Sequence, residues 1–390
     1  MRIAFVVQRY GLEISGGAEY HCRLVAEHLK KHFDIEVFTT RALDYITWKN
    51  FYPQKFELIN EIPVKRFKVL KKRHPEKFGR IQDFILNNEH KEKDELKWLK
   101  EEGPYCPSLI SYLKKNKKKY DYFIFFSYRY YHSYRGINSV PEKSILVPTA
   151  EHDPVIHLKI FREFFRKPRA FIYNSFEEKK IINTLSRNEN ILGDIVGVGV
   201  EIPPSYSGKE FRKKFKIKDD FILYIGRIDK NKGCLQLFDY FIKFIRETNS
   251  PIKLVLIGTS VLNVPSHPNI IHLGFLEEKD KFGALEAAQL LVMSSFYESL
   301  SMVTLEAWAL NKPVLTNGNC EVLKGQCLRS NGGLYYEDYD EFRETLALLL
   351  SSPKLRRSLG KNGNKYFVEN YSWDVIENKY LSIIDQLRKK

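Results

Sequence analysis

Short apolar runs rich in β-branched and aromatic residues recur along the whole chain, each followed by helical text, and this alternation leaves few folds open. In the first half the runs are Arg2–Val7, Ile35–Thr40, Tyr122–Phe126, Ser144–Pro148 and Ala170–Ser175. In the second half they are Phe221–Ile225, Lys253–Ile257, Ile270–Leu273, Leu290–Met293, Pro313–Thr316 and Gly332–Tyr336. Runs that are apolar throughout belong to strands covered on both faces, which means parallel sheets with helices above and below. The rhythm breaks at Gly197–Pro204, and a chain of 390 residues exceeds what one core usually organises. The expected fold is therefore α/β, with two doubly wound Rossmann-like domains facing across a cleft, 1–200 and 201–371, and a terminal helix over 372–390. Helices are predicted over Cys234–Thr248, Tyr339–Leu350, Pro353–Val368 and Trp373–Leu387. From Lys65 to Lys119 the text is charge-rich and reads as an insertion or flanking helices.

Composition narrows the function classes. No apolar run reaches membrane-spanning length, and the opening MRIAFVVQRY reads as a first strand and not as a signal peptide, so a cytoplasmic protein is expected. Five scattered cysteines without C-x-x-C, and no histidine cluster at ligand spacing, point to free thiols and no metal. The net charge of +15 is uneven: residues 1–195 hold about 36 Lys and Arg against about 25 Asp and Glu. A basic half is either solvated surface or the mark of an anionic partner such as membrane lipid on the inner face or a phosphorylated substrate. No helix-turn-helix, RNP or zinc-finger pattern accompanies it, so nucleic acid is not expected. Phe78, Ile81, Phe84 and Ile85 recur at helical spacing among basic residues, as in a helix packed on its own domain or one resting on anionic lipid.

Residues suited to chemistry gather where strands end. The adjacent Gly16 and Gly17 let backbone approach a ligand just before a helix start near Ala18, without forming G-x-G-x-x-G. Tyr128 and Tyr131 follow one strand, and Thr149–Pro154, with His152 and Asp153, follows the next. Arg227 and Lys232 lie in the loop after Phe221–Ile225, where a guanidinium fork and a point charge can flank a diphosphate. Glu298 stands in a loop before a helix that opens near Ser299 to Ser301, with Glu306 further along it. Amides at that helix mouth suit phosphate, and the two carboxylates suit sugar or ribose hydroxyls.

With these motifs in place, the chain resembles the retaining glycosyltransferases of family 4, also called glycosyl transferases group 1, which have the GT-B fold. The resemblance rests on Gly16-Gly17-Ala18-Glu19, Gly226-Arg227-Ile228-Asp229 with Lys232-Gly233, and the pair Glu298 and Glu306 placed a strand and loop after Gly274-Phe275-Leu276. It implies transfer of a sugar from a nucleoside-diphosphate sugar, UDP favoured and GDP second, to a glycan or lipid-linked acceptor hydroxyl, with retention and with neither metal nor cofactor. Arg227 and Lys232 would neutralise the diphosphate and Glu306 would bind the ribose. Glu298 would lie beside the transferred sugar, with Leu300, Ser301, Met302 and Val303 holding it and the β-phosphate. Gly16, Gly17, Gly274, Phe275 and Leu276 would complete the donor site. His152 matches a His-Asp dipeptide near the sugar; it joins Tyr105, Tyr128, Tyr131 and Asp153 as acceptor-side candidates. Relatives often carry glycines after the first acid, where this chain has Ser299 and Ser301. A sugar-nucleotide epimerase or glycosyl phosphorylase would use a similar cleft, and a non-enzymatic basic scaffold is the remaining alternative.

Overall fold

A computed structural model of the chain describes residues 1–14 and 16–389; Ser15, in the first predicted loop, and Lys390, at the end of the predicted terminal segment, lie outside the described residues. Two compact units result, Met1–Val198 with the segment from Ile376 onward, and Gly199–Val375.

The first unit runs β1 (Arg2–Val6), α1 (Gly17–Leu29), β2 (Asp34–Thr40), β3 (Phe56–Ile59), β4 (Ile62–Phe67), α2 (Pro75–Asn87), α3 (Glu92–Glu102), α4 (Pro107–Asn116), β5 (Tyr122–Phe126), α5 (Tyr131–Ile137), β6 (Ser144–Val147), α6 (Lys159–Phe164), β7 (Ala170–Tyr173), α7 (Phe176–Ser186) and β8 (Leu192–Ile195). Its sheet has the order β3-β4-β2-β1-β5-β6-β7-β8, parallel except for the β3–β4 hairpin. The hairpin corrects the sequence reading, which carried helical text back to Lys65. Strand β4 continues to Phe67 and alternates buried with half-buried residues; its Arg66 is buried because it meets Glu57 of β3. A charge-paired arginine on the inward face hid the strand's period. In α2, Ile85 is buried and Phe78 and Ile81 pack on the unit's own core, so most of its apolar stripe is already covered.

The second unit runs α8 (Gly208–Phe215), β9 (Phe221–Ile225), α9 (Cys234–Thr248), β10 (Lys253–Ile257), β11 (Ile270–His272), α10 (Glu278–Ala287), β12 (Leu291–Met293), α11 (Met302–Ala309), β13 (Val314–Asn317), α12 (Glu321–Ser330), β14 (Gly333–Tyr336), α13 (Tyr339–Ser351) and α14 (Pro353–Tyr371). Its parallel sheet is ordered β11-β10-β9-β12-β13-β14. In both sheets the first strand lies inside, so the winding reverses beside it, between β1 and β5 and between β9 and β12. In open α/β sheets ligands collect at the carboxyl ends flanking such a reversal.

Helix α11 is fixed at both ends. Ser301 caps it by accepting the Thr304 N–H at 3.3 Å. At the far end Trp308 is fully buried and donates from Nε1 to the Gly332 carbonyl at 2.9 Å. A Cβ on Gly363 of α14 would lie 2.2 Å from the Trp308 ring, and one on Gly332 would lie 2.7 Å from it. Asn364 donates to the carbonyls of Trp308 and Ala309, each at 3.1 Å, which satisfies two orphan acceptors of the last turn.

The terminal helix α15 (Trp373–Lys389) belongs to the first unit from Ile376 on. There Glu377 receives His28 at 2.9 Å, Lys31 at 2.8 Å and His32 at 3.1 Å. Among the described residues no helix is long and apolar enough to cross a membrane.

Candidate functional site

Two loops meet where the second sheet reverses: residues 226–233 after β9 and 294–301 after β12. The first is folded around Asp229, whose Oδ1 accepts the Lys232 N–H at 2.8 Å and whose other oxygen takes the Arg227 Nε. Tyr224 Oη donates to the Arg227 carbonyl at 2.9 Å. Contact between the loops is direct. Ser294 Oγ donates to the Lys232 carbonyl at 2.8 Å, the Phe296 N–H donates to the Asn231 carbonyl at 3.1 Å, and Asn317 holds the Ser294 carbonyl at 3.2 Å. Gly233 permits this approach, since its φ is +68° and a Cβ there would stand 1.9 Å from the Ser294 oxygen.

The joined loops deliver Lys232 Nζ to Glu298 Oε1 at 2.7 Å, with side-chain exposures of 26% and 10%. Beside this pair α11 begins, its first residues Met302 and Val303 half-buried and Leu300 and Ser301 buried. Opening-turn amides lack intrahelical partners, so the mouth carries partial positive charge a few residues along the chain from Glu298, the carboxylate that Lys232 holds.

One turn further on, Glu306 is buried. Its Oε1 accepts Lys281 Nζ at 2.9 Å, and Lys281 reaches Glu278 at 2.9 Å as well. Glu306 Oε2 is buried with no hydrogen-bond partner. Burial raises the Glu306 carboxyl above its ordinary pKa, and Lys281 opposes that rise. Burial would lower the Lys281 ammonium, but Glu306 and Glu278 outweigh it and the pKa rises. At the end of β11 the Gly274 carbonyl accepts the Gly258 N–H at 2.8 Å, Phe275 is exposed and Leu276 is half-buried; α10 then starts and carries Lys281.

In the first unit Gly16 is the N-cap of α1 and Gly17 its first residue. A Cβ on Gly16 would meet Glu19 at 2.3 Å and Arg9 at 2.8 Å, whereas Gly17 has open space around it. Arg9 and Glu19 pair beneath this turn at 2.7 Å. At the ends of β5 and β6, Ser127 and Thr149 have φ of +66° and +47° and their hydroxyls lie 2.8 Å apart. His152 is exposed, with its ring 5.6 Å from that of His157. Asp153 takes Arg129 at 3.2 Å, and Arg129 also holds Glu102 at 2.8 Å. Burial lifts the Asp153 carboxyl and Arg129 pulls it back. Tyr105 and Tyr131 stand edge to face at 5.0 Å, both half-buried. Tyr128 is different: it is 2% exposed, wedged against Phe161 and Phe165, and as a core residue it offers a ligand no surface.

The loop carrying His152 and Asp153 is clamped from below by Glu178, which is buried and accepts the N–H groups of Ala150 and Asn174, each at 2.5 Å. Burial raises its pKa from 4.5 to about 8, against the effect of those two bonds. The native carboxyl therefore keeps a proton that the unfolded chain has lost, and stability falls as pH rises from about 4.5 to about 8. Urea unfolding should show wild type losing stability over that window relative to Glu178→Gln. Parallel pH responses of the two proteins would remove this assignment.

Sequence reasoning missed Lys281, the clamp at Glu178 and the double pairing of Arg129. The acidic first turn Glu278-Lys279-Asp280 after Gly274-Phe275-Leu276 was the available signal for a helix carrying Lys281.

Residues 207–366, less than half of the chain, match the family described as glycosyl transferases group 1. A capsular polysaccharide biosynthesis glycosyltransferase, CapM of Staphylococcus aureus, is 25% identical over 241 residues, 56% of this chain and 62% of that protein. An uncharacterized glycosyltransferase of Methanocaldococcus jannaschii is 27% identical over 188 residues, 44% of this chain and 47% of that one. The matched stretches thus span about half to three-fifths of these relatives. Among solved structures, sucrose-phosphate synthase from Thermosynechococcus elongatus superposes with a TM-score of 0.71 at 15% identity, covering 100% of this chain and 99% of that one. Anabaena HepE in complex with UDP and glucose gives a TM-score of 0.69 at 14% identity, covering 98% and 99%. The fold is that of the GT-B glycosyltransferases, and the family match supports a glycosyltransferase.

Proposed function

We propose that the chain is a retaining, metal-independent glycosyltransferase that moves a hexose from a nucleoside-diphosphate sugar to an acceptor hydroxyl. The observation that carries this reading is the second unit's site. Lys232 holds Glu298 at 2.7 Å, α11 opens shortly after it at Met302 under the Ser301 cap, and Glu306 further along keeps a buried oxygen without a partner. Cations and amides match a diphosphate, and unfilled carboxylate capacity matches ribose hydroxyls. UDP is the first choice of nucleotide because HepE was solved with UDP and glucose, and GDP is the second. The CapM relative's role in capsular polysaccharide biosynthesis favours a surface-glycan or lipid-linked acceptor, reached from the cytoplasmic side of a membrane.

In the proposed reaction the bond between the anomeric carbon and the diphosphate oxygen breaks, and its electron pair leaves with the diphosphate. Arg227, Lys232 and the amides of Met302 and Val303 take up that charge. The acceptor oxygen attacks from the same face and its proton passes to the departing phosphate. Glu298 orients the sugar and is not the nucleophile. Gly274, Phe275 and Leu276 are proposed for the base, and Glu306 for the ribose. In the first unit, Gly16 and Gly17 are proposed for phosphate, and His152, Asp153, Tyr105 and Tyr131 for the acceptor.

Testing a panel of UDP- and GDP-sugars for thermal stabilisation and slow donor hydrolysis decides the reading. One donor should raise the melting temperature and be hydrolysed, and no response to any of them would overturn it. Arg227→Ala is expected to raise the donor KM about tenfold or more, as loss of a charge-assisted contact does. Unchanged kinetics would take Arg227 out of the site.

A further inference from the structure

We propose that Lys281 is a positioning residue for nucleotide recognition, fixing Glu306 so that its Oε2 alone meets the ribose diol and the two ribose hydroxyls are read unequally. The inference rests on the assignment of Glu306 to the ribose. Its geometry is independent of that assignment: Lys281 Nζ lies 2.9 Å from Glu306 Oε1 and 2.9 Å from Glu278, with only 12% of the Lys281 side chain exposed. One carboxylate oxygen is thereby occupied by the protein. The other is buried and has no partner, which costs free energy unless a ligand hydroxyl supplies the missing hydrogen bond.

Lys281 also fixes the carboxylate rotamer. Glu306 sits on a short helix whose backbone is held at both ends, so rotation of its side chain is the remaining freedom. An ammonium anchored by a second acid, Glu278, removes that freedom. Lys281 also opposes the rise that burial imposes on the Glu306 carboxyl, and an ionised oxygen accepts a hydroxyl better than a protonated one. None of this requires Lys281 to touch the ligand.

The test uses the full chain and calorimetric binding of UDP, 2′-deoxy-UDP and 3′-deoxy-UDP, with the GDP series in parallel. Wild type should lose about tenfold or more in affinity with one deoxy analogue and about threefold or less with the other. Lys281→Met should weaken binding of the ribonucleotide and bring the ribo-to-deoxy ratio close to one, and Lys281→Arg should restore most of the ratio. A purely structural lysine would lower the melting temperature of Lys281→Met and leave the ratio as in wild type, and that result would overturn the inference. Equal losses with the two deoxy analogues in wild type would overturn it too, while leaving the nucleotide-sugar reading intact. Failure of wild type to bind any of these nucleotides would overturn both.

Discussion

Lys232→Ala is expected to cut turnover of the donor by about 10²-fold or more, the scale set by removing a preorganised charge from a developing oxyanion. Lys232 is not a surface lysine that happens to lie nearby. Its backbone N–H is held by Asp229 and its carbonyl by Ser294, so the side chain leaves a fixed point and ends 2.7 Å from Glu298. When a diphosphate arrives, the ammonium can turn to it, because 26% of the side chain remains exposed. The loss should fall mainly on kcat, since charge on the leaving oxygen grows toward the transition state. Glu298 would lose a partner at a position where 10% of its side chain is exposed, so a modest drop in melting temperature should accompany the kinetic loss. Steady-state kinetics on the best donor check this. Values within about threefold of wild type would mean that another group carries the diphosphate.

Gly233→Ala should be among the most damaging single methyls in the second unit, at about 3 kcal/mol or more. A left-handed conformation costs a non-glycine residue about 1 kcal/mol or more. The new Cβ would also stand 1.9 Å from the Ser294 oxygen, which is main chain and is held in turn by Asn317. Relief requires the loops after β9 and β12 to part, and parting them breaks the bonds that place Lys232 against Glu298. Urea unfolding should therefore report lost stability and kinetics lost activity, together. A stability loss under about 1 kcal/mol would show that the two loops can slide without cost.

What could be read from the sequence follows from where the signal sits. Phe221–Ile225 is buried on both faces, so its text is apolar at every position and both its span and its type are legible. Helix α9 was equally plain, with Leu237, Phe238, Phe241 and Phe244 at core spacing. Helices α10 and α12 were not, because each is short, mixes charges through its turns and carries a glycine, Gly283 and Gly325. Ser301 as a cap and the two glutamates around it could be named because capping and spacing are local properties. Lys281 could not, since a lysine in Glu278-Lys279-Asp280-Lys281 reads the same whether solvated or buried, and only the packing of α10 separates the cases. Tyr128 failed for a related reason. Among several tyrosines after β5, the one that becomes core is selected by Phe161 and Phe165, which come from a different stretch of chain.

The anchoring of Trp308 bears on how such a chain can diversify. The helix that presents Glu306 is backed by a buried indole that tolerates no added carbon at Gly332 or Gly363, and its last carbonyls are tied to Asn364. Drift at the rear of the helix is closed off, since any bulkier residue there would push Glu306 out of place. The front is less constrained: Phe296, Tyr297 and Ser299 are half-buried and Phe275 is exposed. On the proposed donor assignment, a lineage of this fold can change which sugar or base it accepts by altering those few positions, while the frame holding the carboxylates passes on unchanged.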